Sequence, residues 1–351
     1  MLTFLLASIL LLILETSYER APLLWWIPPL ILLWANLHAG YAIGIGLVAL
    51  WMVGDALDIL FGFADWTQIQ PHIKLLAVIG LISVAIVIVN PYGARLYSYP
   101  FETLHSASMQ NYIGEWFSPD FHDPKHLPFL IMILGTLILP AVSRQRLRPR
   151  EVLLLVIMTY AGLRSVRHIP IYVLIAVPAL SAWIAGIVPR ELMGGQPSQR
   201  AFTSTKAVVN AGLLLCFVVF MVFRLTMVVK NQPRVEAEKY PAKAVKFIET
   251  RSLPQPLLNH YNWGGYLIWK LYPQYRVFID GRADVYGDNL MEEFASVYYV
   301  KGPKWQEPLQ KWGIQTVLLP SDAPLTNALE GMLGWTRVYS DDQALILTRR
   351  P

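Results

Sequence analysis

Apolar residues recur in eight long stretches, roughly 2–15, 22–37, 40–61, 72–89, 127–142, 151–164, 169–188 and 207–229, separated by short polar connections. The pattern predicts membrane helices. Several stretches fall short of the ~20 residues that cross a ~30 Å hydrocarbon core, so they are expected to pack inside a bundle. The first would cover only ~20 Å at 1.5 Å per residue, and no basic region precedes it, so it does not read as a signal peptide. The chain reads as starting inside a helix.

After Lys230 the pattern changes, as charge returns and apolar runs shrink to strand length. Residues 241–250 read as a helix with proline at its start. Strands are expected at Leu257–Leu258, Val277–Ile279, Thr316–Leu319 and Ala344–Leu347, with helices near 264–272, 289–299, 304–312 and 324–333. That alternation predicts a small α/β domain with a mostly parallel sheet. The expected fold is therefore an α-helical polytopic membrane bundle of about eight spans over 1–230, followed by an extracytoplasmic α/β domain over 231–351.

Composition supports the membrane reading. The 351 residues are 55% hydrophobic and 15% charged, with positive mean hydropathy. The net charge of +5 does not make a nucleic-acid patch, because the basic residues flank apolar runs, notably Arg144, Arg146, Arg148 and Arg150. They read as topology charge, which the positive-inside rule assigns to the cytoplasm. Arg20 and the connection from Pro189 to Lys206, with Arg190 and Arg200, agree with that side. The single cysteine, Cys216, excludes an intrachain disulfide.

Counting outward from these loops puts Asn36, His38, Asn90, the long loop 90–126, the segment Arg164–His168 and everything after Lys230 on the outer side. The amino terminus falls there too, which fits a start within a longer protein. Arg164, Arg167 and His168 lie between two apolar runs, where an ionisable group costs roughly 2.5–3.5 kcal/mol on insertion scales. They serve either as interface anchors or as ligands for an anion such as a lipid phosphate. Asn36-Leu37-His38-Ala39-Gly40 is either a helix break or part of the same face. Glu115, Asp120, His122 and Asp123 suit acid/base work or a divalent ion, and a solvated turn explains them equally well. Asp55 and Asp58 read as boundary residues at the inner end of the third run, and Gly44 and Gly46 as helix-packing glycines. In the last domain, Asn262-Trp263-Gly264-Gly265 precedes a helix and Asp280-Gly281-Arg282 ends an expected strand, where open α/β sheets bind ligands; an Asp–Arg pair that fixes a turn is the alternative.

The order of Trp34 through Gly40, Asn90-Pro91-Tyr92-Gly93, Glu115-Trp116, Arg164 through Pro170, Asn262-Trp263-Gly264-Gly265 and Asp280-Gly281-Arg282 resembles bacterial glycosyltransferases of the C superfamily. This polyprenyl-phosphate-sugar-dependent group includes protein mannosyltransferases and aminoarabinose transferases. The resemblance covers most of the chain, in an uncharacterised subgroup. It implies an enzyme of the bacterial cytoplasmic membrane that takes a polyprenyl-phosphate sugar as donor, with membrane lipids as partners and no nucleotide. It gives Arg164, Arg167 and His168 a lipid-phosphate role; Glu115 and Asp120 are the candidate catalytic carboxylates read from the long loop and not carried over from the family. The superfamily's usual catalytic acid lies in a first outer loop, and no outer loop precedes residue 36 here. The alternatives are a non-catalytic lipid-phosphate binder or transporter, and an inactive fragment of the transferase.

Overall fold

The computed structural model describes residues 1–143, 145–187 and 204–350, without the side chains of 204–206. Arg144, Arg190 and Arg200 of the basic loops lie outside the described residues. The chain forms two compact units, Met1–Gly195 and Gln196–Pro351.

Among its described residues the first unit forms helices and no strand. Helix α1 (Leu2–Thr16) leads through a 3₁₀ turn into α2 (Ile27–Leu37); α3 (Tyr41–Leu60) and α4 (Trp66–Ile86) follow. Two short helices, α5 (Tyr99–His105) and α6 (Ala107–Tyr112), occupy the long loop before α7 (Leu127–Val142), α8 (Pro149–Arg164) and α9 (Ile169–Ile187). Proline in the first turn of α2, α7 and α8 occupies a position where a missing N–H costs nothing. In α8 the Glu151 carboxylate accepts the Arg148 N–H at 3.4 Å, covering an end of the helix.

The core runs down the bundle axis through Leu10, Leu14, Ile31, Trp34, Leu47, Leu76, Tyr172 and Trp183, all essentially inaccessible to solvent. Small residues let the helices approach. A Cβ on Gly44 would lie 2.8 Å from the Trp34 ring and one on Gly162 2.7 Å from Phe129, whereas Gly46 faces open space. Gly44 is thus a packing glycine as expected, and Gly46 is not. Helix α7 leaves Ile131, Leu134, Leu137 and Ile138 exposed, a face suited to hydrocarbon.

The second unit opens on α10 (Ser204–Lys239), continues through α11 (Ala242–Thr250), β1 (Leu257–Asn259), α12 (Gly264–Leu271), α13 (Ala283–Tyr298), α14 (Glu307–Lys311), β2 (Thr316–Pro320) and α15 (Pro324–Glu330), and closes on β3 (Trp335–Ser340) and β4 (Ala344–Arg349). Among the described residues, five helical segments have the length and hydropathy to cross a membrane: Tyr41–Leu60, Trp66–Ile86, Pro124–Val142, Val166–Ile187 and Ala207–Lys239.

The sheet order is β1-β2-β4-β3. Strand β1 pairs with β2 in parallel, and β4 pairs antiparallel with both β2 and β3. Two expectations need correction. The sheet is mixed rather than mostly parallel, because 335–340 forms a further strand, β3, which pairs antiparallel with β4. Its hairpin turn is built by Asp341, whose carboxylate accepts the N–H groups of Gln343 at 2.9 Å and Ala344 at 2.7 Å. Val277–Ile279, expected as a strand, makes only an isolated bridge to Leu257. Beyond it the buried Asn259 side chain replaces strand pairing: it donates to Ile279 O at 2.8 Å and accepts from Phe278 N at 2.8 Å.

That substitution is testable. Asn259→Ala leaves a buried N–H and a buried C=O without partners, each costing about 1–3 kcal/mol. The variant is expected to denature at lower urea in detergent, with amide exchange at 278 and 279 accelerated at least tenfold. Unchanged exchange there would contradict the role given to Asn259.

Candidate functional site

Helices α1, α3 and α8 each carry polar groups at both ends, and the two ends of the bundle differ. Asn36, His38, Asn90 and the turn 164–168 gather at one of them, beside Thr3 and Tyr41. Asn36 donates to Leu32 O at 2.9 Å and to Val89 O at 3.0 Å, so it ties the end of α2 to the end of α4. Asn90 builds a turn, accepting from Tyr92 N and donating to Val87 O and to Gly93 O, the last at 3.1 Å; Gly93 takes the positive φ of +56° that this turn needs. Both asparagines are occupied by backbone.

His38 follows α2. Its Nδ1 accepts the Gly40 N–H at 3.0 Å and lies 2.9 Å from Thr3 Oγ1. A backbone N–H can only donate, so the ring proton sits on Nε2. Burial, followed by the positive charge of Arg167, holds the imidazole below the ordinary histidine value. Gly40 must be glycine-sized, since a Cβ there would fall 2.4 Å from Thr3 Oγ1.

The turn 164–168 is pinned to the loop at 115–117. Ser165 Oγ donates to Glu115 O at 2.8 Å, and Val166 N donates to Phe117 O at 3.0 Å. Arg167 then sets its guanidinium 5.5 Å from the centre of the Trp116 ring, a cation–π distance. Arg164 donates to Gln110 Oε1 at 3.2 Å. Neither arginine has a carboxylate partner among the described residues. His168 stands beside them with a buried Nδ1 that lacks a hydrogen-bond partner among those residues. Arg164, Arg167, His168 and His38 therefore share one end of the bundle; the two guanidinium groups and the His38 Nε2–H keep donor capacity unspent, whereas the His168 ring is hydrogen-bonded to the Ala161 backbone.

The acidic residues of the long loop divide. Glu115 reaches the arginine turn through its backbone, while its exposed carboxylate makes no hydrogen bond among the described residues. The Asp120 carboxylate is committed to a surface turn, accepting His122 N at 2.9 Å and lying 3.1 Å from His122 Nδ1; those hydrogen bonds hold it below the usual carboxylate range. Asp123 caps the next turn through Lys125 N at 3.0 Å. Among the described residues no group of three or more His, Cys, Asp or Glu converges to hold a metal ion, so the divalent ion considered for this loop has no ready cage there.

Asp280 and Arg282 belong to the second unit and pair with each other. Arg282 N and Nε donate to Asp280 Oδ1 at 3.0 and 2.9 Å, and Nη2 donates to Oδ2 at 2.5 Å. The Arg282 hydrogen bond holds the buried Asp280 carboxyl low. The pair fixes a turn packed on Gly264, where a Cβ would meet Ile279 O at 2.2 Å.

The opposite end of the bundle holds a cluster that the sequence reading missed. Arg150, assigned there to topology charge, is only 4% exposed. Its Nη1 donates to Asp55 Oδ1 at 3.1 Å and to the Tyr18 hydroxyl, its backbone N–H donates to Asp58 Oδ1 at 3.0 Å, and its guanidinium lies 4.5 Å from the Trp51 ring centre. Asp55 also accepts from Tyr18 and faces His72 Nδ1 at 3.4 Å, while His72 Nε2 lies 2.7 Å from Ser17 Oγ. Asp55 and Asp58 are therefore members of a buried ionic network rather than boundary residues. Their i,i+3 spacing on one helix face was the available signal. Gly54 makes the room, because a Cβ there would sit 2.4 Å from Arg150 Cγ.

No protein-family model and no curated protein matches this chain.

Two outcomes follow from the geometry. Arg150→Ala strands the buried Asp55 charge and is expected to cost about 3–5 kcal/mol, read as a large drop in the thermal midpoint in detergent; wild-type stability in that variant would contradict the network. His38 is expected to titrate below about 6.5 by nitrogen-15 NMR. Because the folded state then binds fewer protons than the unfolded chain, its contribution is present above that value and is lost as pH falls through the interval beneath it. Titration above 6.5 would reverse the sign.

Proposed function

We propose that the protein is an integral membrane glycosyltransferase that moves a sugar from a polyprenyl-phosphate donor to an acceptor outside the cytoplasm. The observation that carries this reading is the pair Arg164 and Arg167, set in a turn between apolar helices with no carboxylate partner among the described residues. Charge so placed is expensive unless it meets a counter-ion. Guanidinium forks suit phosphate oxygens, and an apolar surround suits a lipid tail.

In this proposal about eight helices embed the chain in the bacterial cytoplasmic membrane, with short α1, α2 and α8 held inside the bundle. The basic loop 144–150 lies in the cytoplasm and the segment 231–351 outside it, following the positive-inside bias. Arg164, Arg167 and the Nε2–H of His38 hold the donor phosphate. An acceptor hydroxyl attacks the anomeric carbon and the bond from that carbon to the phosphate oxygen breaks. The hydroxyl proton passes to a carboxylate, and the arginines take the charge of the departing lipid phosphate. Glu115 is the better placed of the two candidate acids of the long loop, since its carboxylate is free and its backbone is bonded to the arginine turn, whereas Asp120 builds a surface turn.

A second reading, a non-catalytic binder of lipid phosphate, draws support from the same contact, because Glu115 touches the cluster through its carbonyl and not its carboxylate. Two variants separate the readings. Arg167→Ala is expected to lower transfer about 10²–10³-fold, the usual loss for one transition-state donor, with membrane insertion unchanged. Glu115→Gln is expected to lower transfer while retaining donor binding. Full transfer by Arg167→Ala would refute the phosphate role, and full transfer by Glu115→Gln would remove Glu115 from the chemistry.

A further inference from the structure

We infer that the α/β unit rests on the lipid headgroup layer through the exposed edge of α12, with Trp269 and Tyr272 as its anchors. The second unit contains its own route to the membrane. Helix α10 is exposed within the unit along its whole apolar length and is long and apolar enough to cross a bilayer. Past Lys230 the same helix continues as a polar stalk, and the α/β fold grips the end of that stalk. Trp263 Nε1 donates to Lys239 O at 3.2 Å, Gln343 Nε2 donates to Ala237 O at 2.5 Å, and Tyr240 stacks on Tyr266 with ring centres 4.9 Å apart. Glu236 accepts from the Tyr266 hydroxyl at 2.8 Å and pairs with Lys270 at 3.2 Å.

These contacts also set a direction. Trp263, just before α12, meets residue 239 of the stalk, while Tyr266 and Lys270 further along meet residue 236. Helix α12 therefore runs back down the stalk toward the apolar part of α10. Glu236 is six residues beyond Lys230, about 9 Å along a helix, and a headgroup layer is roughly 5–7 Å deep on each side of the hydrocarbon. The carboxyl end of α12 is thereby brought to within roughly 2–4 Å of that layer, a gap that a tryptophan or tyrosine side chain spans.

What α12 presents there has the chemistry of an interface. Trp269 and Tyr272 are 66% and 65% exposed, although their neighbours Leu267 and Leu271 are buried. Gly265 lies one turn before Trp269 and adds no side chain to obstruct this face. Neither the Trp269 indole N–H nor the Tyr272 hydroxyl has a hydrogen-bond partner among the described residues. Lys270 Nζ lies 3.9 Å from the Trp269 ring centre and is already neutralised by Glu236, so the patch is amphipathic rather than strongly charged. Rings with an apolar body and a free polar tip favour the boundary between hydrocarbon and water. The occupant is the lipid surface in which α10 is already embedded.

The test uses the full chain in vesicles of zwitterionic lipid. Cys216 is replaced by Ala, Gln274→Cys places a nitroxide next to the anchors without removing them, and collision with oxygen and with a water-soluble nickel chelate is measured. Labels at Leu333, 97% exposed, and at Val222 in the apolar run serve as water and hydrocarbon references. The expected result is nickel accessibility at 274 at least twofold below that at 333, oxygen accessibility above it, both insensitive to 1 M salt. Trp269→Ala with Tyr272→Ala is expected to return the label to the values at 333 while the thermal midpoint is unchanged. The inference is overturned if the label at 274 matches 333 with both aromatics present, if neither reagent reaches it because protein covers it, if salt alone releases it, or if the double variant leaves it in place.

Discussion

A charge at the end of an apolar helix must find a counter-charge, a hydrogen-bonding shell or a ligand, and α8 poses that problem twice. It carries Arg150 at its beginning and Arg164 at its end, with Arg167 one turn beyond, and sixteen residues set these ends ~22 Å apart. At the first end the protein supplies the answer itself. Asp55 and Tyr18 converge on the Arg150 guanidinium, Asp58 takes the Arg150 backbone N–H, and Trp51 covers the guanidinium face. At the second end the guanidinium groups meet an amide and an indole ring, with no carboxylate among the described residues.

The contrast separates a structural arginine from two available ones. Removing one member of a satisfied buried pair is strongly destabilising, so Arg150 holds α3 and α8 together. Gly54 makes that approach feasible, as Gly40 does for Thr3 and His38 at the other end. Arg164 and Arg167 hold nothing of comparable weight; the turn that carries them is fixed by Ser165 and Val166 instead. Their position is therefore secured by groups other than their own charges. That arrangement suits a site whose cations are reserved for something that arrives.

Much of this was legible in the chain. The apolar stretches appear as helices, and among the described residues five helical segments have the length and composition to cross a membrane, the two properties by which such helices announce themselves in a sequence. Grouping Arg164, Arg167 and His38 on one side needed only loop counting, and they do share one end of the bundle. The Arg150 network was legible only in the i,i+3 spacing of Asp55 and Asp58, because Tyr18, Asp55, His72 and Arg150 are far apart in sequence and each alone looks like a boundary residue. Val277–Ile279 has strand composition, yet the Asn259 side chain took over its backbone bonds. Strand β3 was passed over because its burial is irregular, with a register shift at Arg337 and Tyr339, so no clean alternation marks it. Asp120 has the residue type of a catalytic acid and also builds a turn with His122 two residues on, a double use that residue type alone does not reveal.

Under the proposed function, the Arg164–Arg167 end takes the phosphate of a lipid-linked sugar in order to release the sugar. The most direct measurement supplies polyprenyl phosphate carrying a radiolabelled sugar to membranes containing the protein and follows the label. Label leaving the lipid for a non-lipid acceptor, at a rate that depends on the protein, is the predicted result. Label that binds to the protein yet remains on the lipid through every acceptor preparation would contradict the transferase and leave a lipid-phosphate binder in its place.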